Sequence, residues 1–187
     1  MSEGITFVLG CPGSGKTTLA WKIVCERAAA DGKPILVIDP QRVQTFAGLH
    51  HAADVREVCF ALWRDGRHVA YTPQGEEDFD ALFRAVRGGR NVHVLIDEAR
   101  FFMSGRSIPP GFNLFARVYR HALCDVVCTS QSYQDAGRPL KAVVGAWLVG
   151  RMTSQGDLEA LRVDHNLDPS EMAQYPQYEF KPVKVGF

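Results

Sequence analysis

Gly10-Cys11-Pro12-Gly13-Ser14-Gly15-Lys16-Thr17 decides the fold. The stretch fills every fixed position of the phosphate-binding pattern G-x-x-x-x-G-K-[ST]. Before it, Ile5-Thr6-Phe7-Val8-Leu9 is an apolar run of strand length, and after it residues 16–30 read as a helix. Glycines permit the tight turn and let successive N–H groups converge on phosphate oxygens. The helix start adds a positive dipole end. In such a loop Lys16 reaches the β- and γ-phosphates of ATP and the Thr17 hydroxyl ligates Mg²⁺. Gly10, Cys11, Pro12, Gly13, Ser14, Gly15 and Thr18 complete the expected nucleotide-binding set. A glycine-rich turn without consequence is the alternative. The match at all fixed positions, with strand and helix on either side, weighs against it.

The 187 residues suit one domain, 1–187, with an extended tail from about 175. Hydrophobic content of 46% and charged content of 22% fit a globular chain with a sizeable core. Zero formal net charge argues against a broadly basic surface coating nucleic acid, while leaving room for a local basic ring. Cys11, Cys25, Cys59, Cys124 and Cys128 form no C-x-x-C pair, and their odd number favours reduced thiols in a reducing cytoplasm. The start of the chain lacks the basic and apolar regions of a signal peptide. No apolar stretch approaches the ~20 residues of a membrane span.

Strand-length apolar runs alternate with helix-compatible segments. Strands are expected at 35–38, 68–71, 92–96, 126–129 and 146–149, and helices at 55–63, 76–86, 112–122 and 158–163. Residues 44–51 read as a polar connection and 102–111, rich in Gly and Pro, as an exposed loop. Near-continuous apolar strands separated by helices indicate an α/β fold, a mostly parallel central sheet with helices on both faces.

The strand at 92–96 ends in Asp97-Glu98. Asp97 is placed to hold the Mg²⁺ shell through water. Glu98, one residue on, is placed to orient an attacking water or accept its proton. A small-molecule kinase must exclude water, whereas a motor ATPase must activate it. Solvated acids at a strand end are the alternative. The next strand closes with Thr129-Ser130-Gln131, and ligands of such sheets sit beyond the carboxyl ends of the strands. Gln131 therefore either contacts the γ-phosphate or its water, or satisfies backbone groups of a turn.

This ordered set resembles the FtsK–HerA superfamily of DNA-pumping ATPases, whose core is a RecA-like P-loop NTPase. The set is Gly10–Thr17, Leu95-Ile96-Asp97-Glu98, Arg120 ahead of a strand ending in Gln131, and the strand at 146–149. Within that superfamily it is most similar to the small genome-packaging ATPases of tailless, membrane-containing icosahedral viruses. The resemblance spans about residues 4–165. It implies a ring, a hexamer, encircling double-stranded DNA, with each active site completed by a neighbour's arginine finger. Arg120 matches the family position best; Arg87 and Arg90 are rivals, and Arg84 a weaker one. It also implies capsid-vertex or membrane proteins as partners, and a place in the host cytoplasm or on the virion. The chain carries none of the transmembrane, barrel or winged-helix additions of the larger pumps.

Further residues divide between chemistry and packing. Asp39 faces the nucleotide or DNA, or caps a turn. Gln41 and Arg42 are candidates for base or phosphate contact. His50-His51 lack the neighbours a metal site needs. Phe101-Phe102-Met103 form a pore or interface patch, or core. Arg100 and Arg106 flank it, where basic groups could track a phosphate backbone. Two other functions remain open on the residues alone. One is a nucleotide or small-metabolite kinase, against which stands a candidate lid holding only Arg106. The other is a non-motor P-loop adaptor.

Overall fold

A computed structural model describes residues 4–42, 46, 48–89, 91–103, 108–118 and 124–184. In chain order the elements are β1 (Ile5–Leu9), α1 (Lys16–Asp31), β2 (Ile35–Ile38), β3 (His50–His51), α2 (Val55–Trp63), β4 (Val69–Tyr71), α3 (Glu76–Gly88) and β5 (His93–Ile96). They continue with α4 (Pro110–Val118), β6 (Asp125–Ser130), α5 (Arg138–Lys141), β7 (Val144–Val149), α6 (Gln155–His165), α7 (Pro169–Ala173) and β8 (Lys181–Lys184). A single turn of 3₁₀ helix, Ala99–Phe101, follows the two acids.

The sheet runs β3-β4-β2-β5-β6-β1-β7-β8. Every pairing is parallel except β7 with β8. β1, which feeds the phosphate loop, lies between β6 and β7. Alternation along the strands divides the core in two. Val8, Val37, Leu95 and Val127 face α1, which meets them with the small residues Ala20, Val24 and Ala28. Ile5, Phe7, Leu9, Val94 and Ile96 face the opposite layer, built by α2 to α7. There α3 buries Phe79, Leu82, Phe83 and Val86, the spacing of one helix face. Phe83 packs against Phe112 and Phe115 of α4 at 4.8 and 5.1 Å between ring centres.

Local chemistry sets the ends. Asp54 caps α2 by accepting from the Glu57 N–H at 2.8 Å. Ser154 caps α6 through Asp157 N. Gly32, at φ +72°, closes α1. Glu76, Glu77 and Asp78 crowd the first turn of α3 and Arg87 its last, as the helix dipole favours.

Several expectations are corrected. The segment before residue 51 is not all connection, since His50–His51 adds a short edge strand to β4. The helix expected at 112–122 begins earlier, at Pro110, where proline suits a first turn; residues 119–123 lie outside the described residues. The last parallel strand starts at Val144 rather than Ala146. The tail is not merely extended: β8 pairs with β7, placing Pro182 on a sheet edge where its missing N–H is tolerated.

The amino edge of the sheet carries a buried charge cluster. His93 opens β5 with no exposed surface. Its Nε2 lies 2.9 Å from Asp31 Oδ1 at the end of α1, and its Nδ1 lies 3.3 Å from Asp125 Oδ2 at the start of β6. Asp125 Oδ1 accepts from Gly4 N. Burial opposes the charged ring, but the two carboxylates outweigh it and hold the His93 pKa above its ordinary value. Burial likewise opposes ionisation of Asp31, yet His93 and Lys33 draw its pKa down to about 2. Asp125 is lowered by His93 and Arg27 against the same opposition.

These shifts fix a pH dependence. The His93 contribution to stability is complete below its unfolded value of 6.5 and is lost as pH rises through the raised folded value. The Asp31 contribution is present above 3.8 and is lost as pH falls toward about 2. Thermal midpoints measured upward from neutral pH are therefore expected to fall in the native chain. His93→Gln should flatten that decline, and an unchanged slope would remove the cluster from the account of stability.

Candidate active site

The phosphate loop hangs between two strand ends. Gly10 N donates to Ser130 O at 3.3 Å, Cys11 N to Arg151 O at 2.8 Å, and Gly150 N to Leu9 O at 2.8 Å. A Cβ on Gly10 would stand 2.6 Å from Ser14 Oγ, so the two loop arms approach closely there. Gly15, at φ +92°, supplies the left-handed turn into α1. The first turn of that helix has no side-chain cap and no acid, so its N–H groups and positive dipole end face the loop uncompensated.

Lys16 is only 6% exposed, and its Nζ donates to Cys11 O at 3.2 Å. Burial lowers its pKa, while Glu98 and Asp97 pull it back. Ser14 is buried, with an Oγ that makes no hydrogen bond. A buried cation and an unsatisfied hydroxyl within a cradle of N–H groups have the chemistry that receives an anion.

The acids stand at the end of β5, next to β6 in the register Ile96↔Cys128. Asp97 is buried, and its Oδ1 accepts from Thr17 Oγ1 at 2.9 Å and from Thr129 Oγ1 at 2.7 Å. The Thr129 hydroxyl in turn accepts from Glu98 N at 2.8 Å. Glu98 sits at φ 48°, ψ 60°, a left-handed conformation that costs a non-glycine residue about 1–2 kcal/mol. Its Oε1 accepts from Gln131 Nε2 at 2.8 Å. Its Oε2 is buried without a hydrogen bond, 3.5 Å from Arg100 Nε. Thr17 and Asp97 offer the hard oxygen donors that suit Mg²⁺, and Lys16 and Ser14 suit the phosphate it accompanies. Among the described residues, no group of three or more His, Cys, Asp or Glu could hold a metal by itself.

The structure thus gathers Lys16, Thr17, Asp97, Glu98 and Gln131 at one edge. Arg87 is exposed in the last turn of α3, which leads into the amino end of β5, away from its own chain's phosphate loop. Arg90, Arg106 and Arg120 lie outside the described residues. Arg84 pairs with Asp80. Asp39 caps a turn, its Oδ1 accepting from Gln41 N and Arg42 N. Phe102 and Met103 are core, while Phe101 is half-exposed beside Arg100. His50 bonds Glu57.

Four residues take part at this edge in ways their local sequence does not indicate. Thr129 was legible as a strand-end hydroxyl, but not as the group joining both acids. Arg100, a candidate for contact with a phosphate backbone or a solvated loop charge on its sequence, has its Nε 3.5 Å from Glu98 Oε2. Gln177 and Tyr178, far along the chain, carry no local signal at all. Gln177 Nε2 donates to Gly13 O at 2.8 Å, Tyr178 N donates to Ser14 O at 3.2 Å, and the Tyr178 ring lies against Gly15. A Cβ at Gly15 would meet that ring and force a left-handed alanine. Gly15→Ala is expected to cost at least about 1–2 kcal/mol and to lower the thermal midpoint. It should also accelerate hydrogen exchange at the Tyr178 amide; unchanged exchange would mean that the segment is held without the loop.

No protein-family model and no curated protein matches the chain. Solved structures do. The genome packaging NTPase B204 from Sulfolobus turreted icosahedral virus 2, in complex with AMP, superposes with a TM-score of 0.83 at 16% identity, over 99% of this chain and 94% of that one. B204, the DNA-packaging ATPase from Sulfolobus turreted icosahedral virus, gives 0.70 at 14% identity over 98% of both chains. VirB4 of Thermoanaerobacter pseudethanolicus gives 0.58 at 12% identity over 97% of this chain and 89% of that one. With its loop, its acids and its sheet order, the chain shares the RecA-like P-loop NTPase fold of these solved structures.

Proposed function

We propose that the chain is a Mg²⁺-dependent ATPase that drives double-stranded DNA, packaging a viral genome into a preformed capsid. The observation that carries this reading is the hydrogen-bonded chain Thr17–Asp97–Thr129–Glu98–Gln131. It links the helix that follows the phosphate loop to a general base and to the end of the neighbouring strand. The likeness to B204, which is solved with AMP, AMPPCP and ATP-gammaS, supports the choice of substrate.

The triphosphate lies along Gly10–Thr17, with Lys16 against the β- and γ-oxygens. Thr17 and, through water, Asp97 would hold Mg²⁺, which would supply charge neutralisation at the phosphates. Glu98 Oε2, the carboxylate oxygen without a hydrogen bond, orients the attacking water and takes its proton. Gln131 grips the other oxygen, so a shift of its strand end reaches the base directly.

Subunits form a ring, a hexamer, around the DNA at the capsid vertex, in the host cytoplasm or on the virion. Each takes an arginine from its neighbour: Arg120, with Arg87 or Arg90 as the rivals. Such a finger raises phosphoryl-transfer rates by about 10³–10⁵. Among the described residues, no helix is long and apolar enough to cross a membrane.

Phosphate release measured against protein concentration, with and without duplex DNA, tests the motor. Turnover should rise cooperatively with concentration and further with DNA; turnover indifferent to both would exclude it. Lys16→Ala should abolish nucleotide binding and hydrolysis. Glu98→Gln should bind ATP while losing about 10²–10⁴-fold in turnover, the range of a general base. Thr129→Val should lower turnover with ATP affinity retained, because it removes one hydrogen bond from Asp97 Oδ1 and one from Glu98 N while leaving Gly10–Thr17 unchanged.

A further inference from the structure

Between α7 and β8 the chain folds back across the phosphate loop. It is anchored on either side by the buried Tyr175 and by the pairing of β8 with β7. Gln177 Nε2 and Tyr178 N occupy the carbonyls of Gly13 and Ser14. A turn with Glu179 N donating to Pro176 O presents Tyr178 at the crest, at φ +66°. An aromatic residue rarely adopts that conformation, and residues held in it cluster at ligand clamps.

The ring gains little burial in return. It rests against Gly15 and is 68% exposed, among the most exposed large apolar side chains described. A flat aromatic face is thus fixed by strained backbone against the residue that precedes Lys16. Packing the core does not require this. Its neighbour Phe180 performs that task, joining the α1 side of the core and lying over Gly150.

We propose that Tyr178 is the platform on which the nucleobase stacks when its phosphates occupy the loop. Gln177 and the Tyr178 amide make base and phosphate recognition one unit, because the residue bearing the platform and the residue before it each hold one carbonyl of the loop. Stacking tolerates any base with a π face, so the site takes nucleotides as a class, favouring the larger purines. This inference rests on the phosphate loop binding nucleotide, as argued above.

The test is calorimetric titration of the full chain with Mg-ATP and, separately, with Mg-tripolyphosphate, which has phosphates but no base. Tyr178→Ala should weaken ATP about 10-fold, the loss of one stacked base, and leave tripolyphosphate unchanged. Tyr178→Phe, which keeps the ring, should bind both as the native chain does. Equal weakening of the two ligands by Tyr178→Ala would reduce the residue to a support for the loop and overturn the proposal, as would unchanged ATP affinity. A native chain that binds neither ligand would overturn the phosphate-loop reading itself, and the platform with it.

Discussion

A buried carboxylate, Asp97, is the constraint around which this edge of the molecule is organised. An ionised carboxylate removed from water costs several kcal/mol unless hydrogen bonds replace its hydration. Two hydroxyls supply them here, Thr17 from the start of α1 and Thr129 from the end of β6, both donating to one oxygen. Three elements distant in sequence are thereby pinned at a point. The register Ile96↔Cys128 between β5 and β6 makes it possible, since a one-residue slip would turn Thr129 to the other face of the sheet. The same hydroxyl accepts from Glu98 N, so the geometry of the second acid depends on the satisfaction of the first.

The opposite edge solves a matching problem with different chemistry. Asp31 ends α1, where the helix dipole disfavours an acid. Lys33 and the raised His93 offset it, and His93 also reaches Asp125 at the head of β6. Helix α1 therefore ties to β5 and β6 at both ends: by neutral hydroxyls on a carboxylate at the loop, and by a protonatable ring between carboxylates at the base. The amino-edge contact responds to pH as it rises through the raised His93 value.

The two acids hold different degrees of freedom. Asp97 is closed off by its hydroxyl partners. Glu98 keeps one oxygen bonded to the Gln131 amide and the other without a hydrogen bond, on a strained backbone with Arg100 close by. A group so placed responds to small movements of β6 or of the 3₁₀ turn. The strap at Gln177–Tyr178 constrains the loop from the other side. The phosphate cradle is held between β-strand ends below and this turn above.

The phosphate loop, the paired acids, the strand-terminal Gln131 and the alternation of apolar strands with helices were legible because each is local. Glycine at positive φ, an acid at a strand end and a run of Val, Ile and Leu are determined by residues within a few positions of one another. Element ends followed where caps were local, as at Asp54 and Ser154. The strand order, the joining of both acids by Thr129, the His93 cluster and the turn of Tyr178 onto Gly15 were not legible. Each depends on pairing between segments up to 164 positions apart, as with Gln177 and Gly13. Sequence alone determined that this chain carries a nucleotide-type loop on an α/β sheet. Only the tertiary structure decided which hydroxyl aims the acids and which side chain covers the loop, because those are settled by sheet register and chain reversal, and no pattern of neighbours encodes them.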